Sequence, residues 1–248
     1  MNLIAFDTST PACSVALLVG HEVLTRFDIV PARHGDVFLP WLEELLAEAG
    51  INRLQLDAIG VTIGPGTFTG VRLGISIAQG FALGLNRPII PLSTLQLLAM
   101  QIPANGKTVL ACIDARMGEV YSGWYQRNED GMLCALMPET VSPPESVRLP
   151  DASGDWYALG SGLTVNANQL AARLKDRCVA QRPHAHPNAA HMLPYVQQRL
   201  QNGLVMDPAQ IEPMYLRQRV ALTRAERRAA AATIQSADQA VEKRRSDH

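Results

Sequence analysis

Chemistry in this chain would have to come from a few places. They are the stretch GPGTFTGVRLGISIAQGFALG at residues 64–84, the carboxylates Asp7 and Asp114, six histidines and four cysteines. The glycine-rich stretch matches neither common nucleotide motif. A Walker loop needs glycine, four residues and then Gly-Lys-Ser/Thr, whereas Gly70 is followed by Val71-Arg72. A dinucleotide fingerprint needs G-x-G-x-x-G; Gly64, Gly66 and Gly70 are spaced one residue too far, and no acidic residue follows at about 20 residues. A structural turn leading into a packing helix is favoured over a phosphate cradle. His184 and His186 would share a face of an extended segment, with His191 beyond. Pro183 and Pro187 bracket them and no carboxylate is near in sequence, so they read as loop histidines rather than metal ligands. His34 reads as a capping or interface residue rather than a base. Cys13, Cys112, Cys134 and Cys178 form no C-x-x-C pair and read as reduced thiols, neither a disulfide frame nor a zinc site. No Ser-His-Asp or Cys-His pairing is apparent.

The elements that must position these groups are legible from hydrophobic pattern. Residues 2–6 are an apolar run ending in Asp7; a polar loop leads to a second run, Ser14–Val19, and Gly20-His21 turns into a strand, Glu22–Ile29. Asp36–Ala49 is an amphipathic helix, with Phe38, Leu39, Leu42, Leu45, Leu46 and Ala49 on one stripe and Glu43, Glu44 and Glu48 facing away. Gly50 ends it, and Pro40 should kink it or mark its first turn. A buried strand, Asp57–Ile63, delivers the chain to the turn Gly64-Pro65-Gly66, after which Thr67 or Thr69 caps a helix. From Gly70 that helix has one polar arc, Arg72, Ser76 and Gln79, with Leu83 intruding. Gly70, Gly74 and Ala78 fall at i, i+4 spacing, a groove that lets another backbone come close. A helix so apolar is buried on more than one side, within the chain or against a partner. Its length, about 17 residues, is near the shortest membrane span, but Arg72 and the glycines argue against one.

Ile89–Ile90 is extended, and Ser93 or Thr94 caps a helix running to Gln101. The chain then repeats itself. Val109–Ile113 ends in Asp114, a polar loop covers 115–118, Glu119–Gln126 is a strand, Asn128–Gly131 a turn and Met132–Met137 a third strand. Strand-Asp, loop, strand, turn, strand recurs after about one hundred residues, which marks an internal duplication. Tyr157–Gly160 is a late strand, followed by the turn Gly160-Ser161-Gly162 and helices over Asn166–Arg177 and His191–Leu200. The expected organisation is two lobes, 1–104 and 105–221. Beyond them lies a tail, 222–248, rich in alanine and charge and too poor in large apolar residues to join a core. A chain of 248 residues, 47% hydrophobic and 18% charged, supports a genuine core. Its net charge of −1 predicts no autonomous footprint on RNA or DNA. The start, MNLIAFDTST, lacks a basic region and reads as no signal peptide, so a cytoplasmic location is expected.

A duplicated three-strand unit with an aspartate closing each first strand resembles the actin-like ATPase superfamily. That resemblance implies an α/β fold of two ribonuclease-H-like lobes with mixed sheets. In that superfamily the two strand-end aspartates flank the phosphates and metal, and a late glycine turn holds the adenosine. Asp7, Asp114 and Gly160-Ser161-Gly162 match those places, with Thr10 and Gly118 beside the aspartates. The longer motifs AFDTSTPACSVAL (5–17), GPGTFTGVRLGISIAQGFALG (64–84), IDARMGEVY (113–121) and PMYLR (213–217) resemble the TsaB (YeaZ) family. The resemblance covers Met1 to about Val220; the tail departs from the short members. It implies a non-catalytic subunit of the bacterial machinery that installs threonylcarbamoyl on N6 of adenosine 37 in tRNAs reading ANN codons. Its implied partners are the catalytic subunit TsaD and the ATPase TsaE, with a homodimer when alone, tRNA contact only through the complex, and no membrane.

The resemblance also implies which sites have been lost. TsaD holds its metal with N-H-x-x-x-H after a short strand; here Thr94 and Leu98 stand at the two histidine places, so no metal and no cofactor are expected. The first loop has Thr10-Pro11-Ala12 where active kinases bring backbone N–H groups to phosphate, and Pro11 removes one donor. An eroded cleft at Asp7, Thr10, Asp114, Gly118, Gly160 and Gly162 is therefore favoured over a working one. The partner interface is expected to pair the two long helices with their counterparts through His34, Phe38, Leu42, Leu45, Gly70, Arg72, Gly74, Ile75, Ala78 and Phe81. The rival function is an autonomous ATP-dependent phosphotransferase of the actin-like class; a metalloprotease fails for want of ligands.

Overall fold

The computed structural model describes residues 1–102, 107–128 and 131–217. Five strands form the first sheet: β1 (Asn2–Asp7), β2 (Ala12–Val19), β3 (Glu22–Ile29), β4 (Ala58–Thr62) and β5 (Ile89–Leu92). Their order is β3-β2-β1-β4-β5; the β1–β2–β3 meander is antiparallel, and β4 and β5 add in parallel. The second sheet repeats this plan. Strands β6 (Thr108–Arg116), β7 (Glu119–Arg127) and β8 (Leu133–Ala135) form the meander. Strands β10 (Trp156–Leu159) and β11 (Cys178–Arg182) add in parallel on the far side of β6, in the order β11-β10-β6-β7-β8. The duplication is thus a duplicated topology, the two mixed sheets of a ribonuclease-H-like pair. A short β9 (Thr140–Ser142) pairs with β7 in addition.

Helices fill the connections in matching order. Between β4 and β5 runs α2 (Phe68–Leu85), between β10 and β11 runs α4 (Ala167–Leu174), and α3 (Thr94–Ala99) and α5 (Leu193–Gln201) follow the last strands. The first unit carries α1 (His34–Glu48) before β4, where the second has only β9 and a 3-10 turn at Pro144–Ser146. Strands β1 and β4 are buried on both faces, which is why they read as unbroken apolar runs. Ile4, Phe6, Val15 and Val61 pack outward under α1 and α2. Leu3, Ala5 and Ala16 turn inward and join Leu95 and Leu98 of α3, Met192 just before α5 and Val196 within it, and Val109 and Ala111 of the second sheet. That sheet's far face, with Trp124 against Trp156, packs on α4. Both sheets therefore share one core, and Met1–Leu216 is one compact body. The expected lobe boundary at 104/105 and the tail 222–248 lie outside the described residues.

Several expectations change in detail. β6 does not stop at Asp114 but runs on to Arg116, with an irregular register between them. The expected polar loop shrinks to the pair Met117-Gly118, both at positive φ (58° and 76°). Pro40 lies inside α1 rather than in its first turn; the Asp36 carbonyl that it cannot serve is on the exposed side, where water reaches it. The helix expected over Asn166–Arg177 gives way after Leu174 to a 3-10 turn, Lys175–Arg177. β11 was not legible because CVAQR, at the edge of its sheet, is half polar.

Candidate functional site

The loop after β1 is held from every side. Asp7 Oδ1 accepts hydrogen bonds from Ser9 Oγ (2.6 Å) and from Thr62 Oγ1 at the end of β4 (2.5 Å). Thr94 Oγ1, at the start of α3, donates to Ser9 Oγ at 3.0 Å. His34 Nε2 lies 2.8 Å from the Thr10 carbonyl and 3.2 Å from that of Ala12, so this histidine clasps the loop to α1. The glycine turn closes the other side, with Thr67 N–H donating to Ser9 O at 2.7 Å. A Cβ at Gly66 would stand 2.3 Å from Ser9 O, and one at Gly70 2.1 Å from Thr8 O. Only glycine admits so close an approach. The motif glycines thus serve this chain's own loop.

Clamped this way, Asp7 is 0% exposed and burial pushes its pKa up, against the pull of the Ser9 and Thr62 hydrogen bonds and the His34 charge. Its Oδ2 is buried without a partner among the described residues. Burial in this state favours the neutral carboxyl over the carboxylate that a cation would need. Glu139 is a second case. Tyr125 OH donates to its Oε1 at 2.5 Å, and burial raises its pKa more than the Ser93 and Tyr125 hydrogen bonds lower it. The stability that both carboxyls contribute is complete below the ordinary carboxylate pKa of about 4 and is lost as pH rises through their raised folded values. Asp7→Asn and Glu139→Gln stay neutral throughout. Each is expected to gain stability relative to the parent chain as pH rises from about 4 toward 8. Denaturant unfolding at a series of pH values measures this; a difference independent of pH would mean that these carboxyls ionise freely in the fold.

A cavity of about 270 Å³ lies in front of the loop, lined by Thr10, Thr67, Asp114, Arg116, Tyr121 and Ser161 among others. Of the residues expected at a nucleotide cleft, Thr10 and Asp114 reach its wall, while Asp7, Gly118, Gly160 and Gly162 do not. Both Asp114 oxygens are engaged by Arg116, through its backbone N–H (2.7 Å) and its Nη1 (3.1 Å). The late glycine turn is packed against β6: at Gly160 (φ 108°) a Cβ would meet Cys112 O at 2.2 Å and Leu98 Cδ2 at 2.6 Å. Leu98, at one of the missing histidine places, thus fills space under that turn, and Thr94, at the other, is tied to Ser9. His186 reaches the cavity wall, while His191 lines a different hollow beside Arg127. Burial lowers the pKa of both, with the charge of His184 adding for the first and that of Arg127 for the second. Burial also pushes Cys13 up to about 12, with Asp7 adding, and Cys112 higher still, so both thiols are inert acids. Arg116, Thr62 and Ser9 were not singled out from sequence; their sole signal is proximity to strand ends.

Most of the residues expected at a partner interface are buried within this chain. His34, Phe38, Leu42, Leu45, Gly70, Gly74, Ile75 and Ala78 are all buried in this chain's own core. Gly70 and Gly74 face Thr8, and Ala78 joins the cluster under β1 and β4. The small-residue groove is real, but what comes close to it is the chain's own β1–β2 loop. Arg72 and Phe81 remain half-exposed. The opposite side of α2 carries the surface: Phe68 and Leu83 are 65% and 64% exposed, and Ser76, Gly80 and Gly84 form a second, open small-residue line. Ser76, Gly80, Phe81 and Gly84, with Leu39 of α1 and Leu54, line an apolar groove of about 510 Å³, and Phe68 and Leu83 flank it on the same exposed side of α2. Added Cβ atoms at Gly80 and Gly84 would meet nothing.

Comparison with known proteins adds independent findings. A family model described as TsaD, tRNA N6-adenosine threonylcarbamoyltransferase, matches residues 28–225. The tRNA threonylcarbamoyladenosine biosynthesis protein TsaB of Escherichia coli is 40% identical over 228 residues, covering 89% of this chain and 96% of that protein. Its Haemophilus influenzae counterpart is 34% identical over 229 residues, with 89% and 95% covered. Among solved structures, YeaZ from Pseudomonas aeruginosa superposes with a TM-score of 0.80 at 37% identity, covering 87% of this chain and 99% of that one.

Proposed function

Because this chain belongs to the TsaB family, we propose that it is a non-catalytic subunit in the transfer of the threonylcarbamoyl group to N6 of adenosine in tRNA. It binds and activates a TsaD-type catalytic subunit, with a TsaE-type ATPase completing the machinery, and it pairs with itself when alone. It meets tRNA only through that complex, in the cytoplasm. The observation that carries this reading is the uncovered apolar side of α2 with its 510 Å³ groove. Exposed apolar area of that kind, contiguous with small residues, fits a helix from another subunit. An eroded cleft agrees with it: Asp7 is buried and hydrogen-bonded within this chain's own loop, and Asp114 is engaged by Arg116, so neither is placed to orient a metal-bound phosphate.

The deciding experiment is reconstitution of tRNA modification from TsaD, TsaE and the threonylcarbamoyl donor, with and without this chain. Modification is expected only when the chain is present. Asp7→Asn and Asp114→Asn chains are expected to support it within about three-fold of the parent, whereas loss of a metal-orienting carboxylate from a phosphotransferase costs orders of magnitude. Modification abolished by either substitution, in a folded chain that still binds TsaD, would instead point to a working nucleotide site in this chain.

A further inference from the structure

We propose that Arg72 is the polar anchor of the uncovered α2 face and that it selects a partner bearing a carboxylate over a second copy of this chain; this rests on reading that face as the partner surface. Arg72 lies on the exposed side of α2, one turn after Phe68 and one before Ser76. Its guanidinium carbon stands 3.3 Å from the Phe68 ring centroid and 5.2 Å from that of Tyr215, two aromatic residues that are themselves 65% and 55% exposed. Stacking on an aromatic ring occupies a flat face of the guanidinium and leaves its N–H edge in a fixed direction, ready for a planar two-oxygen acceptor. Its hydrogen bond to Phe68 O is long, 3.4 Å. Among the described residues no carboxylate lies within ion-pair distance of it.

The neighbouring charges are already neutralised. The four acids of α1 each have an arginine of this chain: Asp36 has Arg33 (3.5 Å), Glu43 has Arg53 (3.2 Å), and Glu44 and Glu48 share Arg26 (3.1 and 2.8 Å). α2 carries no acid. A second copy applied through the same two helices therefore brings no free carboxylate, and it brings a second unpaired Arg72. Burying that cation unpaired opposes the contact, while a partner carboxylate set among small or apolar residues completes it. The apolar area favours association in either case. The charge decides with whom.

The test uses the full-length chain, with Arg72→Met to keep an unbranched apolar stem and remove the fork, and Arg72→Lys to keep the charge alone. Association with TsaD is measured by calorimetry at several salt concentrations, and self-association by sedimentation. Arg72→Met is expected to weaken the TsaD contact about 30-fold, with the parent's advantage shrinking as salt rises, and to leave self-association equal or tighter. Arg72→Lys should recover part of the loss. An unchanged TsaD affinity would overturn the proposal; so would equal losses in both associations or in melting temperature, since those mark a structural role. Weakened tRNA binding with the TsaD contact intact would assign the anchor to phosphate and overturn it as well. Leu83→Glu separates the two levels. If it leaves TsaD bound, the face itself has been misread; if it releases TsaD while Arg72→Met does not, only the anchor fails.

Discussion

Gly74→Arg is expected to unfold this chain rather than merely detach it from a partner. A Cβ at position 74 would stand 2.7 Å from Thr8 Oγ1, and that hydroxyl is already committed to Gly70 O at 2.7 Å. The side chain would have to enter the seam between α2, β4 and the β1–β2 loop, where Val61, Val71 and Ala78 are buried. Overpacking alone costs about 1–3 kcal/mol and an unpaired buried charge about 3–5 kcal/mol. The sum is a large part of a typical domain stability of about 5–15 kcal/mol. Circular dichroism and denaturant unfolding check this. A Gly74→Arg chain with the parent's melting temperature would mean that α2 does not sit on the loop as described.

Gly80→Arg, six residues along the same helix, should do the opposite. Nothing lies within 4 Å of an added Cβ there, and the residue is exposed, so the isolated chain should keep its fold within about 1 kcal/mol, the helix propensity even improving on glycine. In the proposed contact the same side chain fills the groove between Ser76, Leu39 and Leu54 and holds the partner helix away. A weakening of TsaD binding by about 100-fold or more is expected, with tRNA modification lost in proportion. Pull-down and calorimetry on the folded variant decide it. A folded Gly80→Arg chain that binds TsaD normally would remove the α2 face from the interface.

The contrast between these two glycines locates the limit of what a sequence discloses. Both belong to one motif, and i, i+4 spacing marks Gly70, Gly74 and Ala78 as a close-contact line without saying what makes the contact. Helical periodicity marks the arc of Arg72, Ser76 and Gln79 as the open side; it does not say whether the apolar remainder packs within the chain or against a partner. The outer line of Ser76, Gly80 and Gly84 has similar composition but lies open.

The same division holds across the molecule. Sequence alone determined that the chain is duplicated and that Asp7 ends β1, and the resemblance set Thr94 and Leu98 at the places of two metal-binding histidines. Those are facts of order and residue type. Tertiary structure decided what they mean. Asp7 is withdrawn behind Ser9 and held by Thr62, from a strand 55 residues away in the chain; Arg116 engages Asp114; Leu98 fills the space beneath Gly160. Whether a carboxylate serves as a ligand or becomes a neutral core group depends on its burial and on donors brought from distant strands. Neither burial nor those donors is a property of the local sequence around it.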